Sequence, residues 1–147
     1  MEGFSMKTRR GFLVTLAGCA VAFWVGPSYA AQPVVEILAM THSPVRNALA
    51  PVREVLAKYT DRVRLVELDI ESAQGEKRQK AIGLKGHIPI ILLIDGRRSF
   101  KRPDGTVVEF VNFPAAAGNP LGLNGSWTVA DFDAALRAAV GEPAKPQ

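Results

Sequence analysis

The sequence predicts a single α/β domain in which a central mixed sheet is flanked by helices on both faces, in the order β-α-β-α-β-β-α after a signal peptide. Three observations carry this reading. Apolar runs of strand length alternate with segments of helical period. The pairs Asp95-Gly96 and Asp104-Gly105 mark tight turns after the most apolar run. The first 30 residues have a charge and hydropathy pattern unlike the rest. A length of 147 residues with 48% hydrophobic and 22% charged side chains supports one core, and excludes a disordered or fibrous chain.

The opening segment has three parts. Lys7, Arg9 and Arg10 form a cationic start, Gly11 to Gly26 is a 16-residue stretch without charge, and Ser28 and Ala30 are small residues two apart before Ala31. Together they read as a secretory signal cleaved after Ala30. The apolar stretch is shorter than the roughly 20 residues of a spanning helix, so the mature form is expected to carry no membrane span. Thr8-Arg9-Arg10-Gly11-Phe12-Leu13 resembles the bacterial twin-arginine export motif, which implies export in the folded state to the periplasm or beyond. A competing pattern, Leu16-Ala17-Gly18-Cys19, resembles a lipoprotein box and would place a lipid anchor on Cys19. The apolar Ala20–Val25 stretch after it argues for cleavage at Ala30 instead. Met6 is an alternative start.

Charge and cysteine content exclude several classes. The net charge of +4 divides evenly between residues 1–30 and the remaining 117, whose signs are interspersed. Despite a pI near 9.5 there is no basic stripe for a nucleic-acid backbone. Cys19 is the only cysteine, so no intrachain disulfide and no cysteine-based zinc site can form.

Along the mature chain, residues 34–40 follow Pro33 as a short apolar run and read as a buried strand. Thr41-His42-Ser43-Pro44 forms a turn in which Thr41 or Ser43 is placed to cap the next helix. Val45, Leu49, Val52, Val55 and Leu56 then fall on one helical face between Val45 and Tyr59, with Pro51 as a kink point. Residues 63–70 read as a second strand, and residues 73–82 as a polar helix stopped by Gly83 and Gly86. Ile88-Pro89-Ile90-Ile91-Leu92-Leu93-Ile94 is the most apolar run of the mature chain and reads as the third strand. Arg97, Arg98, Lys101 and Arg102 fall in a solvated hairpin loop, and residues 106–111 form the fourth strand. Residues 113–126 read as a long loop. Thr128 and Asp131 have capping-box spacing before a closing helix that presents Phe132, Leu136, Ala139 and Val140. Trp127, at the start of that helix, reads as a staple against it rather than a platform for a ligand.

This order, with a proline opening the third strand, resembles the thioredoxin fold. The segment Ile82-Gly83-Leu84-Lys85-Gly86-His87-Ile88-Pro89-Ile90-Ile91-Leu92-Leu93-Ile94-Asp95-Gly96 is similar to the family's Gly-x-x-Gly turn, cis-proline and apolar strand, with His87 as one extra residue. Leu65–Glu71 resembles the family's strand ending in an acidic pair, and Ala50-Pro51 matches its first helix. The resemblance makes residues 31–147 a thioredoxin-like domain and implies a cis bond before Pro89. Counting back from Ala50-Pro51 places Ser43-Pro44-Val45-Arg46 at the family's Cys-x-x-Cys, and Ile37 at its assisting carboxylate. Dithiol exchange needs a thiolate and a resolving thiol, which Ser43 and Arg46 do not supply. Thiol–disulfide oxidoreductase activity is therefore not expected, and no cofactor is implied.

Three readings of the remaining site follow. The favoured one is a binding or accessory module that pairs an extended segment of an exported protein or peptide with the backbone of Ile88, before Pro89 and beside Ser43. The second is a glutathione- or thiol-binding enzyme in which Ser43, aided by Arg46 and the helix N-terminus, stabilises a thiolate; the plain alternative for Ser43 is a helix cap. The third is a copper-type site from His42, His87 and Met40, against which two histidines without diagnostic spacing read more simply as solvated loop residues.

Overall fold

The computed structural model describes residue 1, residues 31–115 and residues 122–143. The export signal, the twin-arginine motif, Cys19 and the centre of the 113–126 loop lie outside the described residues. The chain divides into two units, Met1–Ala30 and Ala31–Gln147, and every element below belongs to the second.

The elements are β1 (Val34–Ala39), α1 (Ser43–Ala57), β2 (Arg64–Asp69), α2 (Ala73–Ala81), β3 (Ile90–Ile94), β4 (Ser99–Lys101), β5 (Val107–Glu109) and α3 (Val129–Ala139). They form an α/β domain around a three-stranded mixed sheet of order β2-β1-β3. β1 runs parallel to β2, with Ile37 beside Glu67, and antiparallel to β3, with Ile37 beside Leu92. The far edge of β3 is also occupied. Val111 bridges Ile91, the Leu92 N–H donates to the Phe110 carbonyl at 2.9 Å, and the Asn112 N–H donates to the Ile90 carbonyl at 2.8 Å. With neighbours on both edges and helices over its faces, β3 buries all five residues, which is why its sequence is apolar without alternation.

β4 corrects the expected order. Ser99–Lys101 pairs antiparallel with β5 in a separate two-stranded ribbon, where a solvated loop was expected. Only Phe100 of the three turns inward, so Arg98, Lys101 and Arg102 hide the alternation that would mark a strand. The turn into this ribbon does follow its sequence signal. Asp95 and Gly96 both have positive φ, 49° and 73°, the mirror-type turn whose twist suits a two-residue hairpin.

Helices cover both faces of the sheet. α1 buries the expected stripe of Val45, Leu49, Val52, Val55 and Leu56 and continues through Pro51. Pro51 leaves the Asn47 carbonyl without its helical partner, and both residues lie on the exposed side of the helix. α1 and α3 pack together, joined where Arg62 contacts Glu142 and donates to the Val140 carbonyl at 3.0 Å. On the other face, Arg78 of α2 grips Glu36 of β1 with two hydrogen bonds of 2.7 and 2.6 Å. α2 sits so close to the end of β2 that a Cβ on Gly75 would fall 2.0 Å from the Asp69 carbonyl oxygen. α3 begins with the expected capping box: the Thr128 hydroxyl accepts from the Asp131 N–H, and the Asp131 carboxylate accepts from the Thr128 N–H at 2.7 Å. Phe110 lies between Trp127 and Phe132, in edge-on contact with each at 5.7 Å, and all three rings are fully buried.

Candidate functional site

The end of the sheet where β1 finishes and β3 starts gathers the residues singled out in the sequence. Met40, one residue beyond β1, donates its N–H to the Pro89 carbonyl at 3.0 Å. His42 is the N-cap of α1 and Ser43 its first residue. This hydrogen bond sets the Ser43-Pro44-Val45-Arg46 turn and the Ile88-Pro89 loop at the same end of the sheet. Among the described residues, neither the N–H nor the carbonyl of Ile88 has a hydrogen-bond partner. The loop is braced from α2, where the half-amide of Gln79 donates to the Gly86 carbonyl at 2.9 Å.

Two expectations are corrected here. No cis peptide bond occurs among the described residues, so the bond before Pro89 is trans. Trans is the preferred isomer by about 0.5–1 kcal/mol unless the surrounding structure demands the other. With the trans bond, the Pro89 carbonyl accepts from the Met40 N–H. Nor does Thr41 or Ser43 cap α1: the N-cap is His42, in extended backbone, and its side chain makes no capping bond. Pro44 in the first turn has no N–H to be capped and presets the helical φ. The exposed Ser43 hydroxyl makes no hydrogen bond among the described residues, and exposed Arg46 makes no ion pair there.

Glu71 is common to the surroundings of both histidines. His42 Nε2 lies 3.3 Å from Glu71 Oε2, both side chains largely in solvent. His87 and buried Met40 share an open cleft of about 470 Å³ with Glu71, Glu76 and Lys80. No group of three or more His, Cys, Asp or Glu side chains takes up metal-holding positions among the described residues. Ile37, where the resemblance would put an assisting carboxylate, is buried and apolar. The nearest acids on β1 and β2 are committed elsewhere, Glu36 to Arg78 and Glu67 to Arg53 at 3.1 Å. The site can therefore offer hydrogen bonds, the Arg46 cation and one solvent-facing imidazole–carboxylate pair, His42 with Glu71.

Several residues are structural where a surface role was open. Trp127 is fully buried, its indole N–H donating to the Val111 and Asn112 carbonyls at 3.2 Å. Arg102 leaves the basic cluster to form two 2.7 Å hydrogen bonds with Asp131. Arg98 donates to the Ile82 carbonyl at 3.1 Å and approaches Glu109. Only Arg97 and Lys101 of the four remain exposed. Asp131 is held below the usual carboxylate range, first by the Arg102 hydrogen bonds and then by those from Thr128, while its burial works the other way. Burial, aided by the nearby Asp133 carboxylate, raises the Tyr59 phenol above its ordinary value. The signal for the Glu36–Arg78 pair was a carboxylate inside an apolar strand, which demands a cation on the helix covering it.

Comparison of the chain with family models, curated proteins and solved structures finds no match. No helix among the described residues is long and apolar enough to cross a membrane.

Proposed function

We propose that this chain is an exported, thioredoxin-like binding or accessory module without dithiol redox activity, which receives an extended segment of a protein or peptide along Ile88, beside the first turn of α1. The observation that carries the reading is the unpartnered backbone of Ile88, held next to α1 by the Met40–Pro89 hydrogen bond. An extended chain adding there would satisfy both groups. The fold assignment is supported by the plan of the sheet: a parallel β1–β2 pair joined through α1, then antiparallel β3, a hairpin and a closing helix. Redox inactivity follows from residues 31–147 having no cysteine. Periplasmic or secreted location rests on the signal pattern. Intact mass of the exported protein should begin at Ala31, and a lipid-bearing chain beginning at Cys19 would replace that reading.

The decisive experiment is titration of extended peptides into isotope-labelled protein. The largest amide shifts should fall on Ile88, Ser43, Val45 and Arg46. Ile88→Pro, which removes one donor worth about 1 kcal/mol, should weaken binding by about fivefold. Shifts confined to other surfaces would refute the assignment. The free Ser43 hydroxyl keeps the thiol-binding reading testable in the same sample: saturable glutathione binding that Ser43→Ala abolishes would favour it.

A further inference from the structure

β2 is an edge strand whose outer side is open. The Arg64 N–H donates to the Pro33 carbonyl at 2.8 Å and the Ile70 N–H to the Ala39 carbonyl at 3.1 Å, so the even-numbered residues are the ones bonded to β1. Backbone polar groups alternate in direction along a strand, and those of Leu65 and Glu67 point away from the sheet. No described residue pairs with them. Sheets ordinarily blunt such an edge with charge, proline, a bulge or a covering segment. Of the two open positions, Glu67 carries a charge that Arg53 neutralises at 3.1 Å, and the other is apolar Leu65, 44% exposed. Next to it a groove of about 310 Å³ opens between α1 and β2, floored by Leu56, Ala57, Thr60 and Val63 and rimmed by Arg53, whose guanidinium pairs with Glu67. On the opposite face of the strand, exposed Arg64 makes no ion pair among the described residues.

We propose that the free edge of β2 is a second docking surface, which takes an extended segment of another protein by strand addition. The segment places an apolar side chain in the groove beside Leu65 and, on the other face, a carboxylate beside Arg64. Side chains of an added strand alternate between faces, so one peptide alternating apolar and acidic residues meets both demands. A second copy of β2 fits worse. Antiparallel self-pairing in hydrogen-bonding phase must centre on Leu65, Val66 or Glu67. Centring on Glu67 sets that carboxylate against itself, centring on Val66 puts Leu65 opposite Glu67, and centring on Leu65 engages only residues 64–66 of the strand.

The test uses the full chain and an acetylated heptapeptide alternating leucine and glutamate, with a lysine-for-glutamate peptide as its counterpart. Calorimetry should detect saturable binding of the acidic peptide, at least tenfold tighter than the basic one. Leu65→Lys should weaken it at least tenfold without lowering the melting temperature, and Arg64→Glu should reverse the preference between peptides. Absence of saturable binding by the unaltered protein would overturn the proposal, as would binding that Leu65→Lys leaves intact. A dimer in sedimentation that Leu65→Lys dissociates would give the edge to a second copy and overturn it equally.

Discussion

Gly75→Ala should destabilise the protein even though alanine is the better helix former. Gly75 is the third residue of α2, three beyond the Ser72 cap, and in an open helix the exchange would gain about 1 kcal/mol. Here the new Cβ would lie 2.0 Å from the Asp69 carbonyl oxygen, 2.7 Å from Ile70 Cα and 2.8 Å from the Asp69 carbonyl carbon. Ordinary contact begins near 3.4 Å, so α2 must withdraw by about 1.4 Å, and no flexible side chain can give way instead. That shift would strain the Ser72 hydroxyl's bond to the Asp69 carbonyl, the Gly75 N–H bond to the same hydroxyl, and the grip of Arg78 on Glu36. Overpacking costs about 1–3 kcal/mol, and a clash with rigid backbone belongs at the upper end, about 2–3 kcal/mol, so after the propensity gain of about 1 kcal/mol we expect a net loss of about 1–2 kcal/mol. With an m-value of about 2 kcal/mol/M, the urea midpoint should fall by about 0.5–1 M at unchanged slope. Gln74→Ala, on the exposed side of the same turn, should stay within about 0.5 kcal/mol. A midpoint for Gly75→Ala equal to or above that of the original protein would refute the close seating of α2 on β2.

Three further outcomes are expected. Because the folded state holds the Asp131 carboxyl below its unfolded value, the stabilisation is complete above the ordinary carboxylate range and drains away as pH falls through the folded value. Asp131→Asn should lower the melting temperature at neutral pH and flatten the acid limb of its pH profile, and a curve parallel to the original at every pH would count against the Arg102 clasp. Trp127→Ala should cost about 3–5 kcal/mol in urea unfolding, because the ring is fully buried among Phe110 and its neighbours; a loss under about 1 kcal/mol would place it outside the core. The unaltered protein should not accelerate insulin reduction by dithiothreitol, whereas Ser43→Cys with Arg46→Cys, in the first turn of α1, should yield a reversibly oxidised pair by thiol counting. Failure of those cysteines to pair would argue against the alignment of this turn with Cys-x-x-Cys.

The elements legible in the sequence are those whose physics is local or strongly periodic. The apolar stripe of α1, the unbroken run of β3 and the Thr128–Asp131 box each name their own environment, and their observed limits differ from the expected ones by a few residues. β4 was hidden because a three-residue strand in a solvent-facing ribbon needs only one inward side chain, Phe100. The clasp between Arg102 and Asp131 joins residues 29 apart, and no local pattern separates such an arginine from its exposed neighbours Arg97 and Lys101. At the candidate site, the sequence put Ser43 and Pro89 at one end of the sheet, but neither the isomer of the bond before Pro89 nor the identity of the cap is written in local residue type. Backbone availability is likewise a property of assembled neighbours. Neither the free groups of Ile88 nor the open edge of β2 leaves a trace in residue type.

The position of β1 bears on when the domain can form during synthesis. This strand is made first, yet it lies in the middle of the sheet, and Val35 pairs with Leu65 on one side and with Ile94, 59 residues downstream, on the other. Until residues 90–94 have left the ribosome, one whole edge of β1 has no partner, and the apolar side of β3 that closes the core does not exist. The rings of Phe110, Trp127 and Phe132, which fill the space beneath α3, emerge later still. Contacts of such long sequence separation require the loop entropy of most of the chain to be lost before they return any energy. Folding is thus deferred until the chain through Leu136 has emerged, and until then the apolar strands remain open to chaperones and to aggregation.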